Sequence, residues 1–206
     1  MSREIVTVLW TQMITDDLIA TFRTAQAAFT ERVLAVAGDQ WELATPDTQW
    51  TVADLVWHLV DEHRWAGPLL AGLDLDEAAA VAAGRGPPSR EGATLVREWD
   101  RAAASSAAAF SADGALTGSV AISRGRVPAS EYLDEMILDL IVHAWDLGTA
   151  IGYQRPLPAS AVAAIYPLAQ AIVDRTPRGM FDPPAEAGAD APLIDRLVAL
   201  TGRRPR

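Results

Sequence analysis

Between Leu133 and Ile151 apolar residues return at intervals of three and four: Leu133, Ile137, Leu140, Ala144, Leu147 and Ile151. That spacing suits one face of an α-helix and no β-strand. Asp139 and His143 lie on the same segment four residues apart, which stacks a carboxylate and an imidazole on one side of it. At about 100° per residue both fall on the shoulder of the apolar stripe, not on the solvated side. Such a pair can ligate one metal ion if another element supplies a third ligand. His58, in a second amphipathic segment, is the candidate. With 27 acidic positions among 206 the spacing also arises by chance. Its plain structural reading is a core-edge histidine hydrogen-bonded to a carboxylate.

The same periodicity recurs along the chain. Leu18, Ile19, Phe22, Ala25, Phe29, Val33 and Val36 predict a first helix over 16–37, stopped by Gly38. Thr51 followed by Asp54 reads as an N-cap with an acidic third residue, opening a helix to about Ala71. Residues 76–83 read as a short helical turn, and a helix from Ser89 or Arg90 to Phe110 carries an alanine-rich face suited to close approach. The glycine-rich stretch 111–128 reads as a loop or short hairpin. Helices over 129–151, 159–176 and about 192–200 follow, and a basic tail closes the chain. Residues 1–15 are open between a strand, a helical extension and an arm. The expected architecture is an all-α four-helix bundle with extra C-terminal helices, organised as an N-terminal extension over 1–15 and one domain over 16–206.

Composition removes several function classes. Seventeen basic residues against 27 acidic ones leave a net charge of -10, a field that repels nucleic acid and anionic membrane surfaces. The absence of cysteine excludes disulfides, thiolate-rich zinc sites and a cysteine nucleophile. Any sulfur chemistry therefore needs a thiol from outside. No run of about 18 apolar residues and no secretory leader pattern is present, so a cytoplasmic protein is expected. Gly-Arg-Gly-Pro-Pro at 84–88 lacks the Lys-Ser/Thr of a phosphate loop, and its two prolines mark a turn. No Gly-x-Ser-x-Gly and no dinucleotide fingerprint occur.

The chain has three histidines, His58, His63 and His143. On the second helix Val52, Leu55, Val56, Leu59, Ala66 and Leu70 define the buried stripe. Periodicity places His63 inside that stripe and His58 on its shoulder, so by itself it selects His63 as the inward residue. Trp57, Trp65, Trp99 and Trp145 read as core positions. Asp146 is open between supporting an imidazole and meeting Arg155 at the helix end.

Trp50-Thr-Val-Ala-Asp-Leu-Val-Trp-His-Leu-Val60, Leu69-Leu-Ala-Gly72, Leu140-Ile-Val-His-Ala-Trp-Asp-Leu147 and Asp195-Arg-Leu-Val-Ala-Leu-Thr-Gly202 together resemble one family. It is the actinobacterial branch of the DinB-like bundle proteins, related to the N-terminal domain of mycothiol-dependent maleylpyruvate isomerase. The resemblance spans about residues 16–205. It implies a divalent metal held by one histidine of the second helix and a carboxylate-x-x-x-His pair of a later one. On the matching positions these are His58, Asp139 and His143. Asp139 is shorter than the Glu usual in the isomerases proper, while related members also carry Asp. Asp47 stands where many relatives have cysteine, so that thiol is dispensable here. His63 replaces what is often a small polar residue, which suggests a substrate contact or further ligand as the alternative to a core histidine. The chain ends where the isomerase's separate C-terminal domain would begin, so maleylpyruvate isomerisation itself is not implied.

The resulting expectation is a metal-dependent thiol S-transferase or isomerase acting on a small electrophilic substrate, with zinc as the metal and mycothiol as cosubstrate. A metal-dependent hydrolase and a non-catalytic metal- or ligand-binding bundle are the alternatives. Glu62 and His63 are the candidate bases. Arg126, with Arg124 and Arg64, is the candidate cation for a carboxylated substrate. The expected partners are a small-molecule substrate and a low-molecular-weight thiol, without nucleic acid or membrane, and a homodimer is left open.

Overall fold

The computed structural model describes residues 3–47, 49–83, 89–177 and 179–205, and among these it has seven α-helices, two short 3-10 turns and one two-stranded hairpin. Helix α1 (Arg3–Ala35) continues through residues 3–15, so of the three readings of that stretch the helical one is observed. A short 3-10 turn at Gln40–Glu42 leads towards α2 (Val52–Leu70). Next come α3 (Leu75–Ala83), α4 (Gly92–Phe110), the strands β1 (Ser119–Ile122) and β2 (Gly125–Pro128), and α5 (Ala129–Ile151). Helices α6 (Ala159–Arg175) and α7 (Leu193–Leu200) complete the chain. The stretch 84–88 lies outside the described residues. Among the described residues no helix is long and apolar enough to cross a membrane.

Two helix ends set the register of the site. Thr51 and Asp54 form a reciprocal capping box, the Thr51 N–H donating to Asp54 Oδ2 at 3.0 Å and the Asp54 N–H to Thr51 Oγ1 at 3.3 Å. An N-cap of this kind contributes about 1 kcal/mol, and it fixes where α2 starts, hence which way His58 faces. Helix α5 ends at Gly152, whose φ of 69° is left-handed, a conformation glycine adopts without steric cost. Helix α4 begins at Gly92, later than the expected Ser89 or Arg90. The Arg90 guanidinium is engaged outside the helix, by Asp54 and Thr51.

Helix α2 packs mainly on α4 and α1 on α5, with α2 and α5 also in contact. The apolar stripes meet in one core that includes Phe22, Phe29, Leu59, Trp99, Phe110 and Ile137. Alanines 102 and 103 of α4 permit close helix approach, and the Trp99 indole N–H donates to Thr30 Oγ1 at 2.9 Å. The hairpin pairs Val120 with Val127, tucks both valines inward and carries Arg124 at its turn. There Arg124 is gripped by Glu131 and Glu135 of α5, and Arg175 of α6 joins the same carboxylates.

Asp134 belongs to this charged edge. Burial lifts its carboxyl to about 6, with Arg175 opposing and Glu131 and Glu135 adding to the rise. A carboxyl raised on folding is least costly when protonated, so its contribution to stability is lost as pH climbs from the ordinary carboxylate range through about 6. Asp134→Asn should therefore raise the Tm at pH 7.5 by about 2 °C after allowance for solvent screening. Thermal melts should show this gain shrinking as the pH is lowered towards 4.

Candidate functional site

Helices α2 and α5 bring three side chains together. His58 Nε2 lies 3.6 Å from Asp139 Oδ1, and His143 Nε2 lies 3.2 Å from the same oxygen. One ligand atom from each residue falls within 4.8 Å of the other two. The shoulder positions on α2 and α5 thus converge across the helix pair. The donor set, two imidazoles and one carboxylate, fits a divalent cation, and Asp139 Oδ2 is buried without a hydrogen-bond partner among the described residues.

Electrostatics tighten the cluster. Burial works against the Asp139 carboxylate, but the two histidines beside it hold its pKa well below the usual range. Burial also opposes charge on His143, yet Asp139 and Asp146 outweigh it and raise the imidazole to about 9. His143 Nδ1 is 3.0 Å from Asp146 Oδ2. Of the two partners open to Asp146, the imidazole is the one it meets, while Arg155 pairs with Glu31. Asp146 is wholly buried, and its other partner is Arg203.

Trp50 covers the histidines, its ring centroid 4.6 Å from that of His58 and 5.5 Å from that of His143. The loop holding it is closed by backbone bonds: Thr45 N–H donates to Trp50 O at 3.0 Å and Val52 N–H to Leu43 O at 2.9 Å. The cluster opens on a cavity of about 520 Å³ lined by Glu62, Trp65, Leu69, Met136 and Phe181 among others. Burial raises the Glu62 carboxyl to about 6, His58 opposing and Asp139 adding to the shift. Tyr132 also lines this cavity, and its hydroxyl is buried without a hydrogen-bond partner among the described residues.

His63 lies elsewhere. It is fully buried between α1, α2 and α4, its Nδ1 2.7 Å from Ser106 Oγ and its ring near Phe22 and Trp99. Burial pushes its pKa down to about 3, so it stays neutral. Periodicity correctly named it the more inward histidine, and for that reason it is in the core and not at the cavity. The expectation of His63 as a base or substrate contact is corrected accordingly. Arg126 is also not at the cavity: it stands exposed on β2, with long contacts of 3.4 Å to Ser119. Arg64 is buried against Glu98 and Trp57. Arg124 alone of the three cations lines the cavity, with its guanidinium committed to Glu131 and Glu135. Arg203, read from the sequence as part of a basic tail, is only 6% exposed and lines the cavity. The sequence marks the helix stop at Thr201-Gly202, but nothing local in it separates Arg203 from the exposed Arg204 that follows.

Residues 22–148 match the family described as the mycothiol maleylpyruvate isomerase N-terminal domain. The chain belongs to that family. Among curated relatives, an uncharacterized protein of Mycobacterium tuberculosis strain CDC 1551 / Oshkosh is 29% identical over 197 residues, which cover 92% of this chain and all of the relative. Its counterpart in strain H37Rv matches to the same extent. The fold of this family member is also that of two crystal structures of mycothiol-dependent maleylpyruvate isomerase. One, of a histidine-to-alanine mutant, has a TM-score of 0.61 at 15% identity; the other has 0.57 at 17%. Each likeness covers 77% of this chain and 69% of the isomerase. The all-α, DinB-like bundle is thereby shown.

Proposed function

We propose that this protein is a metal-dependent enzyme that joins a low-molecular-weight thiol, mycothiol, through its sulfur to a small electrophilic substrate, by addition or by displacing a leaving group, or isomerises one by addition and elimination of the thiol. The observation that carries the reading is the convergence of His58, Asp139 and His143 at the wall of a cavity, within a chain of this family. Three protein ligands leave coordination positions open, the pattern of catalytic rather than structural sites. Two imidazoles with one carboxylate suit zinc. Such an ion lowers the pKa of a thiol or water bound to it, which supplies a nucleophile at neutral pH.

The chain's own residues have definable tasks. Asp146 accepts from His143 Nδ1–H and so turns Nε2 towards the cluster. Glu62, with a carboxyl near 6 at the cavity wall, is a base of suitable strength for the proton of an incoming nucleophile. Trp50 covers one side of both imidazoles and keeps water from it. Trp65, Leu69 and Phe181 supply apolar surface for the body of a small substrate.

The presence of Glu62 beside the cluster also favours a second reading, a hydrolase in which the nucleophile is water. Turnover of a maleyl compound or a halogenated aromatic by zinc-loaded protein, with and without mycothiol, separates them. The thiol mechanism expects turnover only with mycothiol. Turnover by water alone, unaffected by added thiol, overturns it in favour of the hydrolase, and a zinc-loaded protein inert in both arms marks a binding bundle.

A further inference from the structure

We infer that Arg203 is a positioning residue, which holds His143 in its ligating orientation through Asp146; this inference rests on the metal site proposed above. The side chain arrives from the far end of the chain, 57 residues beyond Asp146, and makes a fork onto it. Arg203 Nη2 donates to Asp146 Oδ2 at 2.8 Å, and Nε donates to Oδ1 at 3.2 Å and Oδ2 at 3.3 Å. A carboxylate gripped by a planar guanidinium cannot rotate without breaking both arms of the fork. Oδ2, the oxygen gripped by Nη2, is also the one that meets His143 Nδ1, 3.0 Å away. The imidazole plane is therefore set by a group that never touches the cluster itself.

The same guanidinium ties down the other side of the site. Its Nη2 also donates to Asp47 Oδ2 at 2.9 Å, and Nη1 donates to Thr201 O at 3.1 Å. Asp47 belongs to the closed loop whose Trp50 ring covers His58 and His143. One buried cation thus joins α5, the loop entering α2 and the turn after α7. Gly202 makes that turn possible. Its φ is +84°, and a Cβ there would stand 2.4 Å from Asp182 Cβ, so only glycine delivers Arg203 inward.

The test is zinc affinity by competition with a chromophoric chelator, on the full chain, for wild type, Arg203→Lys and Arg203→Met. The Tm of each is measured zinc-free and zinc-loaded. Loss of such a support typically weakens binding by about 10–100-fold. That loss is expected for Arg203→Met, with a smaller one for lysine, which keeps the charge but not the fork. The zinc-induced rise in Tm should shrink in parallel, which a purely structural arginine would not cause. If Arg203→Met does not fold, Arg203→Lys decides alone. Wild-type zinc affinity in the folded variants overturns the positioning role and leaves the metal site standing. A wild-type protein that binds no zinc overturns the metal site itself, and the inference with it.

Discussion

His143→Ala, loaded with zinc and dialysed, should retain almost none of the ion, while wild type retains about one per chain. Supporting partners of a ligand are already worth about 10–100-fold in affinity, so loss of the ligand itself should exceed about 100-fold. Two features make the contrast clean. The His143 imidazole is buried at the convergence of His58 and Asp139, with no other histidine near enough to replace it among the described residues. Asp146 keeps its Arg203 partner when the imidazole is removed, so the variant leaves no isolated buried carboxylate there. Asp139 without its closest cation becomes the less stable member, which favours protonation over metal capture. Elemental analysis of the two proteins checks the expectation, and equal loading would sink the assignment.

The paired variants His58→Ala and His63→Ala should behave in opposite ways. His58 is about a quarter exposed at the cavity, so its truncation should abolish zinc retention and move the zinc-free Tm by no more than about 3 °C. His63 is wholly enclosed by Phe22, Trp99, Ser106 and Gln26. Its truncation opens a cavity and strips a hydrogen bond from Ser106, a combined cost of about 2–4 kcal/mol. For a chain of this size that lowers the Tm by about 5–15 °C, with zinc retained. Metal loss confined to His63→Ala would show that the deeper stripe position, and not the cavity wall, holds the ion.

These two histidines show how far periodicity reads. The apolar periodicity of α2 ranks its residues by depth, and it ranks His63 above His58, as observed. Depth is not function: the deepest side faces α1 and α4, whereas the cavity opens on the shoulder that faces α5. A hydrophobic pattern contains no information on which neighbour occupies which side, so the choice of His58 came from resemblance and not from spacing.

The sequence by itself determined the all-α class, the helices from Thr51 to Phe110 and from Ala129 to Leu200 within a few residues, and the Asp139–His143 pair. All of these are local: capping chemistry, left-handed glycine and the 3.6-residue period act between residues close in the chain. Only the tertiary structure decided that Arg203 is buried, that Asp146 meets His143 and not Arg155, that Arg126 is turned outwards and that Trp50 covers the two imidazoles. Burial of Arg203 depends on partners remote in the chain, Asp146 at 57 residues and Asp47 at 156. Asp146 and His143 are only three residues apart, but it is Arg203 that engages the rest of that carboxylate. A basic tail and a buried guanidinium read alike in sequence, because what separates them is whether folding brings a carboxylate to meet the charge.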